Sequence, residues 1–124
     1  MKIIEAISRL DSLISNTYTE KNKVEWLSGV DSMIKKHIID THEGAEDVVF
    51  SGYNESTDLQ TELLAPAPYD EMYLMWLEAQ IHYHNGEYDK YNNAIVMFNT
   101  NYESYQAYYT RNHLPVTRGS RFLF

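Results

Sequence analysis

The sequence predicts an all-α protein, a small bundle of about four helices, and two observations carry most of that prediction. Apolar residues recur every three or four positions through most of the chain, which is the spacing of amphipathic helices. Residues 66–109 in addition resemble a helical hairpin that turns at Asn85-Gly86. The bundle is expected to carry a long loop, with a candidate short β-hairpin, between the second and third helices, and an extended C-terminal tail.

The first two helices are predicted from their apolar stripes. The stripe of the first consists of Ile3, Ile7, Leu10 and Ile14. This helix should end near Ser15-Asn16, and Thr19 is a good N-cap for the second helix, which should run to about Asp40. The second stripe is expected to contain Trp26, Leu27, Val30, Met33, Ile34, His37 and Ile38. Within that helix, Gly29 is expected to mark a close helix crossing and His37 to be a core or interface histidine.

Residues 41–65 break the helical pattern. A turn is followed by Val48-Val49-Phe50, a candidate short strand, and then by a loop rich in turn-forming residues. Leu59, Leu63 and Leu64 either form a second strand or pack onto the core. A connection of this length in a compact domain is usually functional or disordered.

The last two helices form the predicted core hairpin. The buried face of the third helix is expected to be Tyr69, Met72, Tyr73, Trp76, Leu77, Gln80, Tyr83 and His84. Its polar face is expected to be Glu71, Glu78, His82 and Asn85. The fourth helix carries a heptad seam of Tyr88, Tyr91, Ile95, Phe98, Tyr102, Tyr105 and Tyr109. A seam of such large side chains is expected to lie along another helix.

Length and composition bound the class of protein. The 124 residues fit one domain, predicted to be residues 1–110, followed by a tail of residues 111–124. The chain has no Cys, which excludes disulfides and thiolate metal sites. No apolar run approaches the roughly 20 residues of a membrane span, and no signal peptide is recognisable at the N-terminus. We therefore expect a soluble protein made in the cytoplasm.

Charge is segregated along the sequence. Residues 1–110 hold seven Lys and Arg against all 18 acids, whereas the tail holds three Arg and no acid. No Lys or Arg falls between Lys36 and Lys90, where twelve acids lie. Such a body repels phosphate backbones, so a basic-patch nucleic-acid binder is disfavoured. The acidic region is either an ordinary solvated surface or a surface that faces DNA without binding it.

The tail ends the helical pattern, because Pro115 cannot continue a helix. A disordered end is one interpretation. The other is a docking segment, in which arginines approach an acidic neighbour and apolar residues anchor the contact. The candidate interaction residues are Arg111, Arg118, Arg121, Phe122, Leu123 and Phe124.

Candidate catalytic residues are few. His42-Glu43-Gly44-Ala45-Glu46 differs by one residue from a zinc-protease motif, but it contains Gly44 and lies in a predicted turn. Glu78 and His82 form an i, i+4 pair, which is more often a surface contact than a metal site. The sequence contains no phosphate-binding loop and no nucleophile elbow. We therefore expect no catalytic, metal-binding or cofactor-binding residues and do not expect an enzyme.

Five stretches, taken in order, resemble head–tail connector (adaptor, or head-completion) proteins of tailed phages and prophages of Gram-positive hosts. They are Trp26-Leu27-Ser28, Asp40-Thr41-His42-Glu43-Gly44, Pro68-Tyr69-Asp70-Glu71-Met72-Tyr73, Gly86-Glu87-Tyr88 and Tyr91-Asn92-Asn93-Ala94. The resemblance implies a small helical protein, monomeric when free, that self-associates as a twelvefold ring beneath the portal protein. It further implies a DNA conduit through that ring and a docking surface for a neck or tail-completion protein. The expected location is the virion, and the host cytoplasm before assembly.

Under this hypothesis the acidic region lines the DNA channel without binding DNA. The residues expected there are Glu43, Glu46, Asp47, Glu55, Asp58 and Glu62. Two other classes stay open. One is a tetratricopeptide-like peptide-binding adaptor, which Tyr83, Gly86 and Tyr88 faintly resemble. The other is a metal-dependent enzyme using Glu78 with His82 or His42 with Glu46.

Overall fold

The structure is a computed structural model and describes residues 1–116. Four α-helices make up most of it: α1 (Ile3–Leu13), α2 (Glu20–Ile34), α3 (Met72–His84) and α4 (Tyr88–Asn112). Helix α2 continues into a π-helical turn, Lys35–Ile39, and short 3₁₀ turns occupy Ala45–Asp47 and Tyr69–Glu71. Within residues 1–116 there is no β-strand, only two isolated bridges. The prediction of an all-α fold with four helices is confirmed.

Helix ends follow the local chemistry of the sequence. The side chain of Thr19 accepts a hydrogen bond of 3.1 Å from the amide of Asn22, so the predicted N-cap of α2 is confirmed. Gly86 takes φ of +77° between α3 and α4, a conformation that glycine adopts without a steric penalty. The hairpin turn therefore forms where the sequence places it.

The buried face of α2 differs from the predicted stripe. The buried residues are Lys23, Val24, Leu27, Val30, Asp31 and Ile34, followed by Ile38 and Ile39 of the π turn. His37 is exposed, so the core alternative for this residue is wrong, and the interface alternative stays a prediction. Ile38 is buried as predicted, and because a π turn contains more residues than an α turn, Ile39 also comes onto the core side. Gly29 is also exposed, with no atom within 4 Å of a Cβ built there, so the predicted close crossing is wrong.

Helix α3 is buried on more than one side, as the flanking Leu74 and Met75 predict, and the burial includes part of the face predicted to be polar. Its buried residues are Met72, Tyr73, Leu74, Leu77, Ala79, Ile81 and His82. His82 was predicted to be polar-facing, but its ring is buried beside Leu13 and Ile14 at the end of α1. Tyr83 and His84 are exposed instead. The faces predicted for these three residues are wrong because α1 packs against the side that the sequence pattern assigned to solvent.

The aromatic seam of α4 packs along α3 and then beyond it. The Phe98 ring lies 5.0 Å from the Trp76 ring, and Tyr105 and Tyr109 are buried. Tyr69 of the 3₁₀ turn continues the contact, 4.9 Å from Tyr108. Only the first seam residue, Tyr88, is largely exposed. The prediction that this seam lies along another helix is confirmed.

The long loop pairs with the N-terminal segment, and the candidate β-hairpin within it does not form. The amides of Ile3 and Ile4 donate to the carbonyls of Thr61 and Leu59, each at 3.0 Å. Leu63 is buried, which agrees with the alternative that the segment packs onto the core. The backbone groups at 59–63 thus meet residues 1–4 instead of Val48-Val49-Phe50, so the hairpin prediction is wrong.

The C-terminal part of the described chain is tied to the loop. Helix α4 ends at Asn112, past residue 110, where the tail was expected to begin. The Glu43 amide donates to the Leu114 carbonyl at 2.8 Å, and the Val116 amide donates to the Thr41 carbonyl at 2.9 Å. No helix in the described chain is long and apolar enough to cross a membrane.

Candidate interaction surfaces

An open groove lies where the end of α1 crosses α3 and α4. One half, about 430 Å³, is lined by residues that include Leu13, Ile14, His82 and Met97. The other half, about 330 Å³, shares Leu13 and Ile14 and continues toward Leu74. Leu13 is 70% exposed and Met97 is 54% exposed, and both line the same half of the groove, so they form a contiguous apolar patch. The groove is therefore an apolar surface that residues 1–116 of the same chain leave uncovered.

Carboxylates surround this groove. Glu71 pairs with Arg9 at 3.0 Å, and Glu87 lies 3.4 Å from Lys90. Glu78 lines both halves of the groove, and the only basic side chain of the described chain within 4.0 Å of it is His82, at 3.5 Å. The lining thus contains two carboxylates, Glu71 and Glu78, and two cations, Arg9 and Lys90, and Glu78 is the carboxylate without a Lys or Arg partner in the described chain.

The His82 ring lies between two of these carboxylates. Its Nε2 lies 3.5 Å from Glu78 and its Nδ1 lies 3.0 Å from Oε1 of Glu87. The hydrogen bond from His82, with smaller contributions from Asn85 and Lys90, lowers the pKa of Glu87 to about 2. The two carboxylates contact opposite nitrogens of one ring, so they do not converge on a common point as ligands of one ion would.

His42 is buried in a structural role. Its Nδ1 donates to the Ile38 carbonyl at 2.5 Å, and in the neutral ring Nε2 accepts from the Thr110 hydroxyl at 2.9 Å. The Tyr109 ring packs edge-on against it, with ring centres 5.2 Å apart. Both ring nitrogens are occupied and Glu46 is exposed, so the pair does not form a metal site. Residues 1–116 contain no group of three or more His, Asp or Glu placed to hold a metal ion.

Asp31 is the buried polar centre that sequence reasoning missed. Its carboxylate accepts hydrogen bonds from the hydroxyls of Tyr53 and Tyr73, at 2.5 and 2.6 Å, and from the Leu64 amide at 3.1 Å. Burial raises the pKa of Asp31, although the three donors oppose this shift. A signal existed, because Asp31 falls between Leu27 and Ile34 at heptad spacing. The arrangement joins α2, α3 and the loop, and it has no access to solvent for chemistry.

The six acids expected at a DNA channel are all exposed, but they lie in two parts of the loop. Glu43, Glu46 and Asp47 surround the 3₁₀ turn that follows Gly44, and no Lys or Arg of residues 1–116 lies within 4.0 Å of them. The second part is Glu55, Asp58 and Glu62. Of these, Glu55 lies 4.0 Å from Lys21 and Glu62 lies 3.2 Å from the Met1 amino group. The acids of the first part are therefore less neutralised by nearby cations than those of the second part.

The solvent-facing side of α4 carries little charge. The exposed residues between Tyr91 and Thr110 are Asn92, Asn93, Val96, Met97, Asn99, Thr100, Glu103, Ser104, Gln106, Ala107 and Thr110. Only Glu103 among them is charged, whereas the exposed charged residues Asp89, Lys90 and Arg111 lie at the two ends of the helix. Depletion of charge with retention of apolar side chains is typical of the centre of a protein–protein interface.

The candidate interaction residues of the tail fall on both sides of the described boundary. Arg111 lies in the last turn of α4 and is exposed. Arg118, Arg121, Phe122, Leu123 and Phe124 lie outside the described residues. The described chain reaches Val116, whose amide is bonded to the loop next to Glu43. The basic segment therefore leaves the folded body beside the less neutralised acids.

Comparison with protein-family models, with curated proteins and with solved structures gave no significant match.

Proposed function

We propose that this protein is a head–tail connector of a tailed phage or prophage, a structural protein of the virion. In this function its subunits self-associate as a ring beneath the portal protein and extend the DNA conduit. They also offer a docking surface to a neck or tail-completion protein. The order of motifs from Trp26 to Ala94, together with the helical fold, supports the proposal.

The observation that carries the proposal is the low-charge outer face of α4. It covers residues 91–110 of α4, about 30 Å at 1.5 Å per residue, and contains one charged side chain among eleven exposed residues, whereas Asp89, Lys90 and Arg111 are exposed at the two ends of the helix. A face of this length and composition is suited to lateral contact between copies arranged side by side. Ring closure requires two different complementary patches on each subunit, so another surface must meet this face.

The acidic loop supports the second part of the proposal, the DNA conduit. Glu43, Glu46 and Asp47 remain exposed and unneutralised by Lys or Arg of residues 1–116. A wall of such residues repels the phosphate backbone and lets DNA pass without adhesion. The arginines of the tail and its apolar triplet would contact the portal or the neighbouring components of the ring.

The proposal is tested with DNA-filled heads from a mutant of the source phage that lacks this gene. Purified protein should bind these heads in a fixed stoichiometry, retain their DNA and restore tail attachment in electron micrographs. Heads that join tails equally well without the protein would reject the function. Protein that binds heads in which the portal is absent would reject the portal as its partner.

The channel role is tested by reversing charge at the loop. The triple variant Glu43→Lys/Glu46→Lys/Asp47→Lys should bind duplex DNA at physiological salt, which the unmodified protein should not do. Virions carrying it should eject DNA poorly. Reversal of Glu20, Glu25 and Asp89, which are also exposed but lie in α2 and in the first turn of α4, is the matched control. Normal ejection by the triple variant would remove the channel role and leave the connector function intact.

A second candidate is a helical peptide-binding adaptor, which the open groove beside Leu13 favours. That function predicts a defined peptide from another protein in the groove and no attachment to heads, so the head-binding assay separates the two.

A further inference from the structure

The groove beneath Leu13 has the composition of a peptide-docking site. Two exposed apolar side chains, Leu13 and Met97, mark its opening, and Leu74 and Ile14 line its interior. Its two connected halves are within the size range of cavities that bind ligands, about 300–1,000 Å³. Leaving such side chains in water is unfavourable, and a partner that covers them would gain apolar burial.

The rim of the groove specifies the charge of that partner. Arg9 and Lys90, which also line the groove, pair with Glu71 and Glu87, whereas Glu78 has no Lys or Arg of the described residues within 4.0 Å. A ligand with positive charge next to apolar side chains would pair with Glu78 while filling the apolar floor.

One segment of this chain has that chemistry. Residues 117–124 contain Arg118 and Arg121, no acid, and the consecutive apolar residues Phe122-Leu123-Phe124. We infer that residues 117–124 of one subunit dock in the groove of a second copy. This inference rests on the proposed self-association and names the contact that joins neighbouring subunits.

The reach of the chain favours a second copy over the same subunit. The segment leaves the body at Val116, which is bonded to Thr41, and His42 of that loop is bonded to Thr110 near the end of α4. Along α4, the groove residue Met97 lies about 22 Å from Asn112, at 1.5 Å per residue. Six residues from Val116 to position 122 span at most roughly 20–22 Å when fully extended.

The groove lies toward the start of α4 and the segment leaves the body near its end, so docking on the same subunit would use most of the extended length of the segment. A neighbouring subunit has no such restriction. Each copy then offers one groove and one segment, which is a head-to-tail contact, and contacts of this kind close into rings when the rotation between subunits allows it.

The test uses the full-length protein and a fluorescent peptide of residues 113–124. The peptide should bind saturably, and Leu13→Lys should weaken binding about 10-fold or more because it removes an apolar anchor and adds a like charge. Val49→Lys is the matched control, since Val49 is 91% exposed in the loop outside the groove and also gains one charge. It should change binding less than about 2-fold.

Charge pairing is tested by an exchange. Glu78→Lys should weaken binding of the peptide. A peptide carrying Arg118→Glu and Arg121→Glu should bind the Glu78→Lys protein better than it binds the unmodified protein. No saturation at about 1 mM peptide, which corresponds to about 4 kcal/mol of binding free energy, would overturn the inference. Equal weakening by Leu13→Lys and Val49→Lys would overturn it as well.

Docking within one subunit is distinguished by the full-length variant Phe122→Ser/Phe124→Ser. If this variant binds the peptide and the unmodified protein does not, at a concentration at which size-exclusion chromatography shows both to be monomers, the segment occupies its own groove and the second copy is wrong. Binding of the peptide without attachment to heads would reject the proposed connector function alone. Attachment to heads without binding of the peptide would reject only this inference.

Discussion

The hydroxyl of Tyr73 donates a hydrogen bond of 2.6 Å to Oδ1 of Asp31, and neither side chain has measurable contact with solvent. The same hydroxyl accepts from the Ala65 amide at 2.7 Å, so a relay runs from the loop through α3 to α2. A buried carboxylate is unfavourable unless donors compensate its lost hydration, and three donors do so here. The position of the long loop on the helices therefore depends on this one acid.

Removing the Tyr73 hydroxyl should destabilise the protein. Tyr73→Phe deprives a buried carboxylate of one donor and leaves the Ala65 amide without its acceptor, so the free energy of unfolding should fall by about 2–3 kcal/mol. Tyr102→Phe is the matched control, because its hydroxyl makes no hydrogen bond within residues 1–116, and it should cost less than about 0.5 kcal/mol. Urea denaturation of both variants measures the difference, and equal losses would contradict this account.

The pH dependence of stability should reveal the raised pKa of Asp31. Because burial raises this pKa above the ordinary value of 3.8, the folded state takes up the proton first as pH falls. The stabilisation that comes from this raised pKa is complete at pH values below the pKa of Asp31 in the unfolded chain, and it is lost as pH rises through the pKa of Asp31 in the folded protein. The unfolding free energy of the unmodified protein minus that of Asp31→Asn should therefore become more positive as pH is lowered from 7 toward about 4. A difference that decreases would mean that the three donors outweigh burial.

Glu87 should show the opposite dependence. Its pKa is lowered from 4.5 to about 2, chiefly by the hydrogen bond from His82, so its contribution is present above 4.5 and is lost as pH falls through about 2. The advantage of the unmodified protein over Glu87→Gln should shrink between about pH 5 and pH 2. Unfolding followed by circular dichroism across this range measures it, and a constant advantage would show that the contact with His82 is absent in solution.

The parts of the fold that depend on neighbouring residues could be predicted from the sequence. The cap at Thr19, the turn at Gly86 and the aromatic seam of α4 all arise from local spacing and local backbone preferences. The seam predicts a partner helix because its residues repeat at heptad spacing, and in the structure α3 is that partner.

The parts of the fold that depend on residues far apart in the sequence could not be predicted. Asp31 meets Tyr53 and Tyr73, which lie 22 and 42 residues further along the chain, so the pattern shows only a polar residue in an apolar position. The exposure of His37 follows from a π turn, which has no recognised signature in this sequence. The burial of His82 depends on α1 crossing α3, and the groove that results from this crossing was likewise invisible in the sequence.

Of the two histidines near the end of α2, only His42 should matter for stability. His42→Ala removes the hydrogen bonds to Ile38 and Thr110 and leaves a cavity against Tyr109, so it should cost about 2–4 kcal/mol. His37→Ala, at an exposed position, should cost less than about 0.5 kcal/mol. Thermal and urea unfolding of the two variants compares them. A large loss in His37→Ala would mean that the π turn places that histidine inward after all.

Two truncations separate the role of residues 114–116 from the role of the basic segment that follows them. A chain that stops after Val116 keeps the two backbone hydrogen bonds to the loop, from Glu43 to Leu114 and from Val116 to Thr41. A chain that stops after His113 loses both. At about 0.5–1.5 kcal/mol for each bond, the shorter chain should be less stable than the longer one by about 1–3 kcal/mol.

Hydrogen exchange at the Glu43 amide gives the direct readout of this contact. The amide donates to the Leu114 carbonyl, so it should be protected in the chain ending at Val116 and should exchange faster in the chain ending at His113. The Asn22 amide, bonded to Thr19 at the start of α2, should be equally protected in both and serves as the control. Both chains lack residues 117–124 and should fail to attach to heads as a complete ring, because that segment is proposed to contact the portal or the neighbouring components of the ring. Equal exchange at Glu43 in the two chains would show that residues 114–116 do not hold the loop, and attachment of the chain ending at Val116 would show that the basic segment is dispensable.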